Sequence, residues 1–188
     1  MKNILKLVIA VFVLGALFYF VGMPYLQKET KKHSPEKTTS FVLKGTELEV
    51  RYSSPAKKGR TIFGELIPYD KVWRTGANEP TTFTNSETIK IIDKDLPPGT
   101  YSLWTIPGQD SWKVIFNTEV PDWGVTLLSG GKETTRNASE DVLQAEIPVR
   151  ELTTPVENFT ILFEEDNQLY LNLSWDRVKI RIPINKQP

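Results

Sequence analysis

From Ser40 to the end of the chain, apolar residues recur at every second position almost wherever a period can be counted. A period of two puts alternate side chains on opposite faces of an extended chain, so most of this protein must be sheet. Leu48, Val50 and Tyr52 alternate with Glu47, Glu49 and Arg51 in a half-buried strand ended by Ser54-Pro55. Thr81–Asn85 and Thr88–Ile92 are short β-branched runs. Pro97-Pro98-Gly99 turns into Thr100–Ile106, with Tyr101 and Leu103 on one face and Trp104 and Ile106 on the other, the pattern of a strand covered on both sides. Trp112, Val114 and Phe116 share a face beyond Pro107-Gly108, and the turn-rich residues 118–139 read as a long surface excursion. Leu143, Ala145, Ile147 and Val149 then alternate, with Pro148 expected to end that strand or place it at an edge. Phe159, Ile161 and Phe163, then Leu169 to Trp175, then Val178, Ile180, Ile182 and Ile184 complete the set. About eight or nine strands joined by short turns, with no amphipathic helix longer than two turns, predict an all-β domain over residues 40–188. An antiparallel β-sandwich fits best, and a closed barrel would also satisfy the pattern.

The first 39 residues obey different rules. Leu7 to Leu26 is a run of twenty uncharged, mostly apolar residues preceded by Lys2 and Lys6. As a helix it spans roughly 30 Å, the thickness of a bilayer's hydrocarbon core. A cleaved signal would need a shorter apolar core followed by small residues. Here the nearest candidate, Val13-Leu14-Gly15, falls inside the run, so residues 1–26 read as an uncleaved transmembrane signal-anchor, with membrane contact through residues 7–26. Basic charge flanks both ends nearly equally. An anchor at the N-terminus followed by a whole domain favours export of that domain, which makes the expected location a single-pass membrane protein with an extracytoplasmic folded part. Residues 27–39, mostly Lys, Glu, Thr, Ser and Pro without an apolar period, read as a flexible tether.

Composition removes several kinds of chemistry. The chain has no cysteine, hence no disulfide, thiolate nucleophile or Cys-held metal. Its only histidine, His33, lies in the tether, where nothing orients it as a base, so a Ser-His-Asp arrangement or a histidine metal site is not expected. Beyond residue 39 there are 17 basic and 21 acidic side chains, a poor match for phosphate backbones, so nucleic acid is not an expected partner. No phosphate-loop or dinucleotide glycine pattern appears, and no cofactor is expected.

One stretch breaks the strand pattern. Lys58 to Pro80 combines three glycines, two prolines, two arginines, a Trp, a Tyr and an Asn-Glu pair without a period. Tyr69, Trp73, Arg74, Asn78 and Glu79 supply the mixture used to bind sugars: aromatic faces for C–H surfaces and Arg, Asn and Glu for hydroxyls, with Trp104 or Trp123 as further aromatic candidates. Core packing is the commoner fate of a Trp on a sheet, and Arg74 has the plainer reading of bonding loop carbonyls or Glu79. A carboxylate pair drawn from Glu65, Asp70 and Glu79 would serve a glycoside hydrolase.

Several motifs stand in one order: Lys58-Gly-Arg-Thr-Ile-Phe-Gly, Val72-Trp-Arg-Thr-Gly-Ala-Asn-Glu, Leu96-Pro-Pro-Gly-Thr-Tyr-Ser-Leu-Trp-Thr-Ile-Pro-Gly, and Trp112–Asn117 followed by Trp123-Gly124. Over about residues 40–184 the chain resembles the bacterial domain-of-unknown-function family DUF2911. The resemblance implies exported or envelope-associated proteins with a β-rich domain, and it brings no catalytic assignment. The expected function is a non-catalytic, membrane-anchored module that binds a glycan-like or other polar ligand through Tyr69–Glu79. The alternatives are a structural module contacting other envelope proteins and a carboxylate-based glycoside hydrolase.

Overall fold

A computed structural model describes residues 2–126 and 129–186. The chain divides after His33 into two compact units.

The first unit is helical: α1 (Lys2–Leu17), a π-helical turn (Phe18–Gly22) and α2 (Met23–His33). Asn3–His33 form 31 continuous helical residues whose most apolar window has a mean hydropathy of 2.6, and none of that window is buried against protein. This helix is long and apolar enough to cross a membrane, a length and composition that also suit a signal sequence. It extends beyond the apolar run into Lys28–His33, where a flexible tether was expected. Gln, Lys and Glu are good helix formers, and a helix already nucleated by the apolar run propagates through them at little cost.

The second unit is an antiparallel β-sandwich of nine strands: β1 (Glu36–Leu43), β2 (Thr46–Ser53), β3 (Thr81–Asn85), β4 (Ile89–Ile91), β5 (Lys94–Leu96), β6 (Gly99–Pro107), β7 (Ser111–Asn117), β8 (Asp141–Glu165) and β9 (Leu169–Lys186). Their order is β1-β2-β3-β6-β7-β8-β9-β4-β5. Strand β1 also falls partly in the expected tether. It has little apolar content at its start, and its pairing with β2, from Glu36 opposite Ser53 to Leu43 opposite Thr46, makes it a strand.

Two pairs of expected strands are single long strands. Strand β8 pairs with β7 up to Pro148 and with β9 from Val149 onward, so it passes from one half of the sheet to the other. Pro148 neither ends the strand nor lies in a terminal one; it stands at the change of partner, where a missing N–H costs least. Both β8 and β9 bend where their register shifts between Glu151 and Thr160. Asp176 takes the left-handed conformation there (φ 52°), one that Asp tolerates better than most residues. Lys57 anchors the bend through a 2.5 Å ion pair with Asp176.

The bend brings the two halves face to face. Tyr52 on β2 meets Phe159 on β8 edge-on at 5.8 Å, and Phe41 on β1 meets Phe163 at 6.0 Å. Leu48, Val50, Phe83, Leu103, Val114, Leu171, Leu173, Ile180 and Ile182, all inward members of the period-two stripes, are buried in this one core. Each such side chain contributes about 1.5–3 kcal/mol by leaving water. Strand β6, between β3 and β7, is buried on both faces as its pattern predicts, with Trp104 and Ile115 fully covered outside the main core.

Candidate functional site

The irregular segment between β2 and β3 is held by backbone pairing at both of its ends. Its first part is a brace. Ala56 bridges Asn158, and Arg60 folds back to donate to the carbonyls of Ala56 and Lys57. Phe63 then enters the core against Trp112 at 5.0 Å.

The second part runs beside β6. Strand β3 pairs with β6 only as far as Leu103, which would leave Thr105 without a partner on that side. Trp73 replaces it: its N–H donates to the Thr105 carbonyl at 2.7 Å, and the Thr105 N–H donates to the Trp73 carbonyl at 3.0 Å. The indole ring therefore points into the sandwich. It lies near-parallel to Trp175 at 6.1 Å and edge-on to Phe159 at 5.0 Å and Trp112 at 6.0 Å. Its Nε1 donates to the Gly76 carbonyl. Trp73, expected as an apolar platform for a ligand, is instead the centre of the aromatic core.

Between Trp73 and β3 the chain makes a tight loop whose ends meet. The Thr81 N–H donates to the Arg74 carbonyl and the Thr81 hydroxyl to the Thr75 carbonyl. Asp70, Thr75 and Asn78 all adopt positive φ, at 60°, 56° and 60°. For Thr75, a β-branched residue, this is a strained geometry. It persists because Thr75 is wholly buried with its hydroxyl bonded to that of Thr105 at 3.1 Å. Gly76 lies so close to β2 that a Cβ there would sit 2.9 Å from the Ser53 carbonyl oxygen. Asn78 is buried, donating its side-chain amide to the Ser53 hydroxyl at 3.3 Å and the Ser34 carbonyl at 3.4 Å.

Arg74 projects from this loop. Its Nε is sealed from solvent without a hydrogen-bond partner, and among the described residues its guanidinium makes no ion pair. Burial lowers its pKa from the ordinary arginine value. Gly124 covers the stem of the side chain: a Cβ at Gly124 would lie 2.3 Å from Arg74 Cδ and 3.0 Å from the Asn78 carbonyl oxygen. That carbonyl accepts the Gly124 N–H at 3.0 Å. The plainer expectation for Arg74, bonding loop carbonyls or Glu79, is not what the side chain does.

The remaining expected residues divide between packing and surface. The half-buried Tyr69 ring lies over Gly64, whose Cβ would approach it to 3.0 Å. Glu79 lines a cleft of about 320 Å³, together with Glu36, Arg51, Ser53, Thr82 and Asp122. Glu65 and Asp70 are exposed and lie outside it. Trp104 is fully buried with its Nε1 on the Ser102 hydroxyl, while Trp123 is half-buried. Among the described residues no group of three or more His, Asp or Glu side chains is arranged to hold a metal ion.

The excursion after β7 forms the opposite side of the site. Its ends are tied by Asn117, whose amide donates to the Asn137 carbonyl and to Asp141, and by the Arg136–Asp141 ion pair. Val120, Pro121 and Asp122 wall the cleft, and Gly124 follows over Arg74. The participation of Arg51, Ser53, Thr82 and Asp122 had no local signal, because alternation marks them only as outward or loop positions.

The fold and site define a nine-stranded antiparallel sandwich that follows an apolar N-terminal helix in sequence, with one cross-braced loop presenting an arginine that has no ion pair among the described residues. Comparison with protein families matches residues 34–184 to the family described as Protein of unknown function (DUF2911), and the chain belongs to that family. Comparison with curated proteins and with solved structures returns no significant match.

Proposed function

We propose that this protein is a membrane-anchored, extracytoplasmic binding module, non-catalytic, that takes a glycan-like or other polar ligand at the Arg74 loop and the adjoining cleft. The observation that carries this reading is Arg74. A strained, heavily braced loop holds a guanidinium whose Nε is sealed with no partner among the described residues, an arrangement that is costly for folding and that an external ligand would complete. Glu79, with Ser53 and Thr82, offers hydroxyl-directed contacts in the cleft, and Tyr69 and Trp123 are the half-buried aromatics of the two flanking segments.

Thermal-shift screening of the full chain in detergent against envelope glycans tests this. A ligand that raises the melting temperature of wild type but not of Arg74→Ala supports it. Failure of every glycan to shift either protein removes it.

A second reading, carboxylate-based glycoside hydrolysis, draws on the same cleft, because Glu36, Glu79 and Asp122 all line it. It requires that a bound glycan be cleaved and that Glu79→Gln abolish cleavage. The structural reading, assembly through an open sheet edge, is less favoured. The two terminal strands carry Glu36 and Lys37 on β1 and Lys94 and Asp95 on β5, charges that discourage strand addition.

A further inference from the structure

We propose that Arg74 binds a single carboxylate, so that the ligand of this site is an acidic saccharide of the uronate kind. The inference rests on the binding reading above and narrows its ligand class.

Three observations carry it. First, a guanidinium is a planar fork of five donors, matched by the two oxygens of a carboxylate. At Arg74 the Nε edge is closed off, while the side chain as a whole stays partly exposed, so the terminal nitrogens are the donors open to a ligand. The residues after position 39 include 21 acids, and among those described none pairs with this arginine. Arg51, Arg136 and Arg181, by contrast, each face a carboxylate.

Second, the fork is held in place before any ligand arrives. Arg74 follows the bridge to Thr105, its carbonyl receives the Thr81 N–H, and its stem is covered by Gly124. A preset fork loses less freedom on binding than an exposed arginine does.

Third, the surroundings limit the charge that can be accepted. Glu36, Glu79 and Asp122 line the neighbouring cleft beside one cationic side chain, Arg51, which is itself paired with Glu49, and the folded part carries a surplus of acid. A dianion such as phosphate would be repelled there, whereas one carboxylate is matched by one guanidinium. The cleft is directly linked to the arginine: Asn78, whose carbonyl holds Gly124 over Arg74, donates to Ser53 in the cleft wall. The uncharged sugar rings would lie toward those hydroxyls.

The test is titration calorimetry on the full chain in zwitterionic detergent, with glucuronosyl-xylobiose (one uronate on two neutral sugars), its carboxyl-reduced trisaccharide, glucuronate monomer, acetate and inorganic phosphate as probes. Glucuronosyl-xylobiose should bind at least about tenfold more tightly than the reduced trisaccharide, as a charge-assisted bidentate contact requires. Arg74→Gln should erase that preference, and Arg74→Lys, which keeps the charge but loses the fork, should reduce it. Thermal melts establish that each variant is folded, and the Lys variant carries the comparison if the Gln variant is not. Acetate or the monomer binding as well as the acidic trisaccharide would place the recognition in the free carboxylate alone and overturn the saccharide assignment. Phosphate binding as tightly as glucuronosyl-xylobiose overturns the single-charge argument. Equal affinity for the acidic and reduced trisaccharides overturns the inference while leaving a binding module intact. No saturable binding by any probe rejects the carboxylate assignment, and the glycan screen then decides the broader reading separately.

Discussion

Gly124 and Arg74 are in contact so close that the glycine's missing side chain is part of the arginine's environment: a Cβ would fall 2.3 Å from Arg74 Cδ and 2.9 Å from its Cβ. The atoms in the way are the stem of the side chain and the Asn78 carbonyl, none of which can swing aside freely. Gly124→Ala should therefore cost about 1–3 kcal/mol, as overpacking does, and should displace the guanidinium. Chemical denaturation measures the first effect and ligand titration the second. A variant with wild-type stability and binding would mean that the excursion gives way without consequence, and Gly124 would then have no role in the site.

Neighbouring residues in the chain should separate stability from binding. Trp73 is central to the aromatic core, so Trp73→Ala should lose about 3–5 kcal/mol of stability. Arg74→Met removes a sealed, unpaired Nε while keeping much of the stem's packing, and should leave stability unchanged or raise it by up to about 1 kcal/mol. Binding should disappear in this variant. If Arg74→Met is as damaging to the melt as Trp73→Ala, Arg74 is a structural residue and the site has been misplaced.

The strands were legible because burial on one face of a sheet imposes a two-residue period, and Leu48–Tyr52, Trp112–Phe116 and Leu169–Trp175 all obey it. Strand β1 was not legible from Glu36 to Ser40, since its pairing with β2 is made by backbone groups that leave no pattern in side chains. The continuity of β8 through Pro148 was hidden for a related reason. A proline's cost depends on which partner its missing N–H faces, and that is a property of the assembled sheet. At the candidate site, irregular composition marked the segment between β2 and β3, but Trp73 and Arg74 are adjacent and point to opposite fates. Only the bridge from Trp73 to Thr105 decides which of them turns inward. The partnership of Gly124 with Arg74 spans fifty positions and has no local signal at all.

Asp141 should make the protein acid-sensitive. Burial acts to raise its pKa, but hydrogen bonds from Arg136, Asn117 and Gln144 and the charge of Arg136 outweigh burial and hold it below the ordinary value of 3.8. Its carboxylate is 7% exposed. As pH falls below 3.8, the unfolded chain binds a proton that the folded chain still refuses, so this contribution is complete above the ordinary value and is lost as pH falls through the folded one. Glu87 and Glu164, held low first by hydrogen bonds from Lys186 and Lys179, act in the same direction, so wild type alone reports a sum. The difference between wild type and Asp141→Asn isolates the residue. Asn should destabilise the protein at neutral pH and make stability fall less steeply in acid. Parallel curves for the two proteins would show that Asp141 titrates alike in the folded and unfolded chains. Because Asp141 and Asn117 close the excursion that carries Gly124, ligand binding should weaken over the same acid range.

The N-terminal helix sets where all of this operates. Asn3–His33 would be about 46 Å long as an α-helix, more than the roughly 30 Å of hydrocarbon a bilayer presents, so its charged end from Lys28 onward has length to emerge into the headgroups. A twenty-residue apolar run unburied by protein should hold the chain in membranes through an alkaline carbonate wash, and mass spectrometry of that fraction should find the N-terminal residues still attached. Deleting residues 2–26 should move the protein to the soluble fraction. Its melt should stay close to that of the full chain, because the sandwich begins at Ser34 as a separate compact unit. A protein recovered soluble and shortened from the wild-type gene would instead identify the helix as a cleaved signal. The sandwich and its Arg74 loop would be unchanged by that outcome, but the ligand would then be met by a diffusing protein rather than by one confined to a surface.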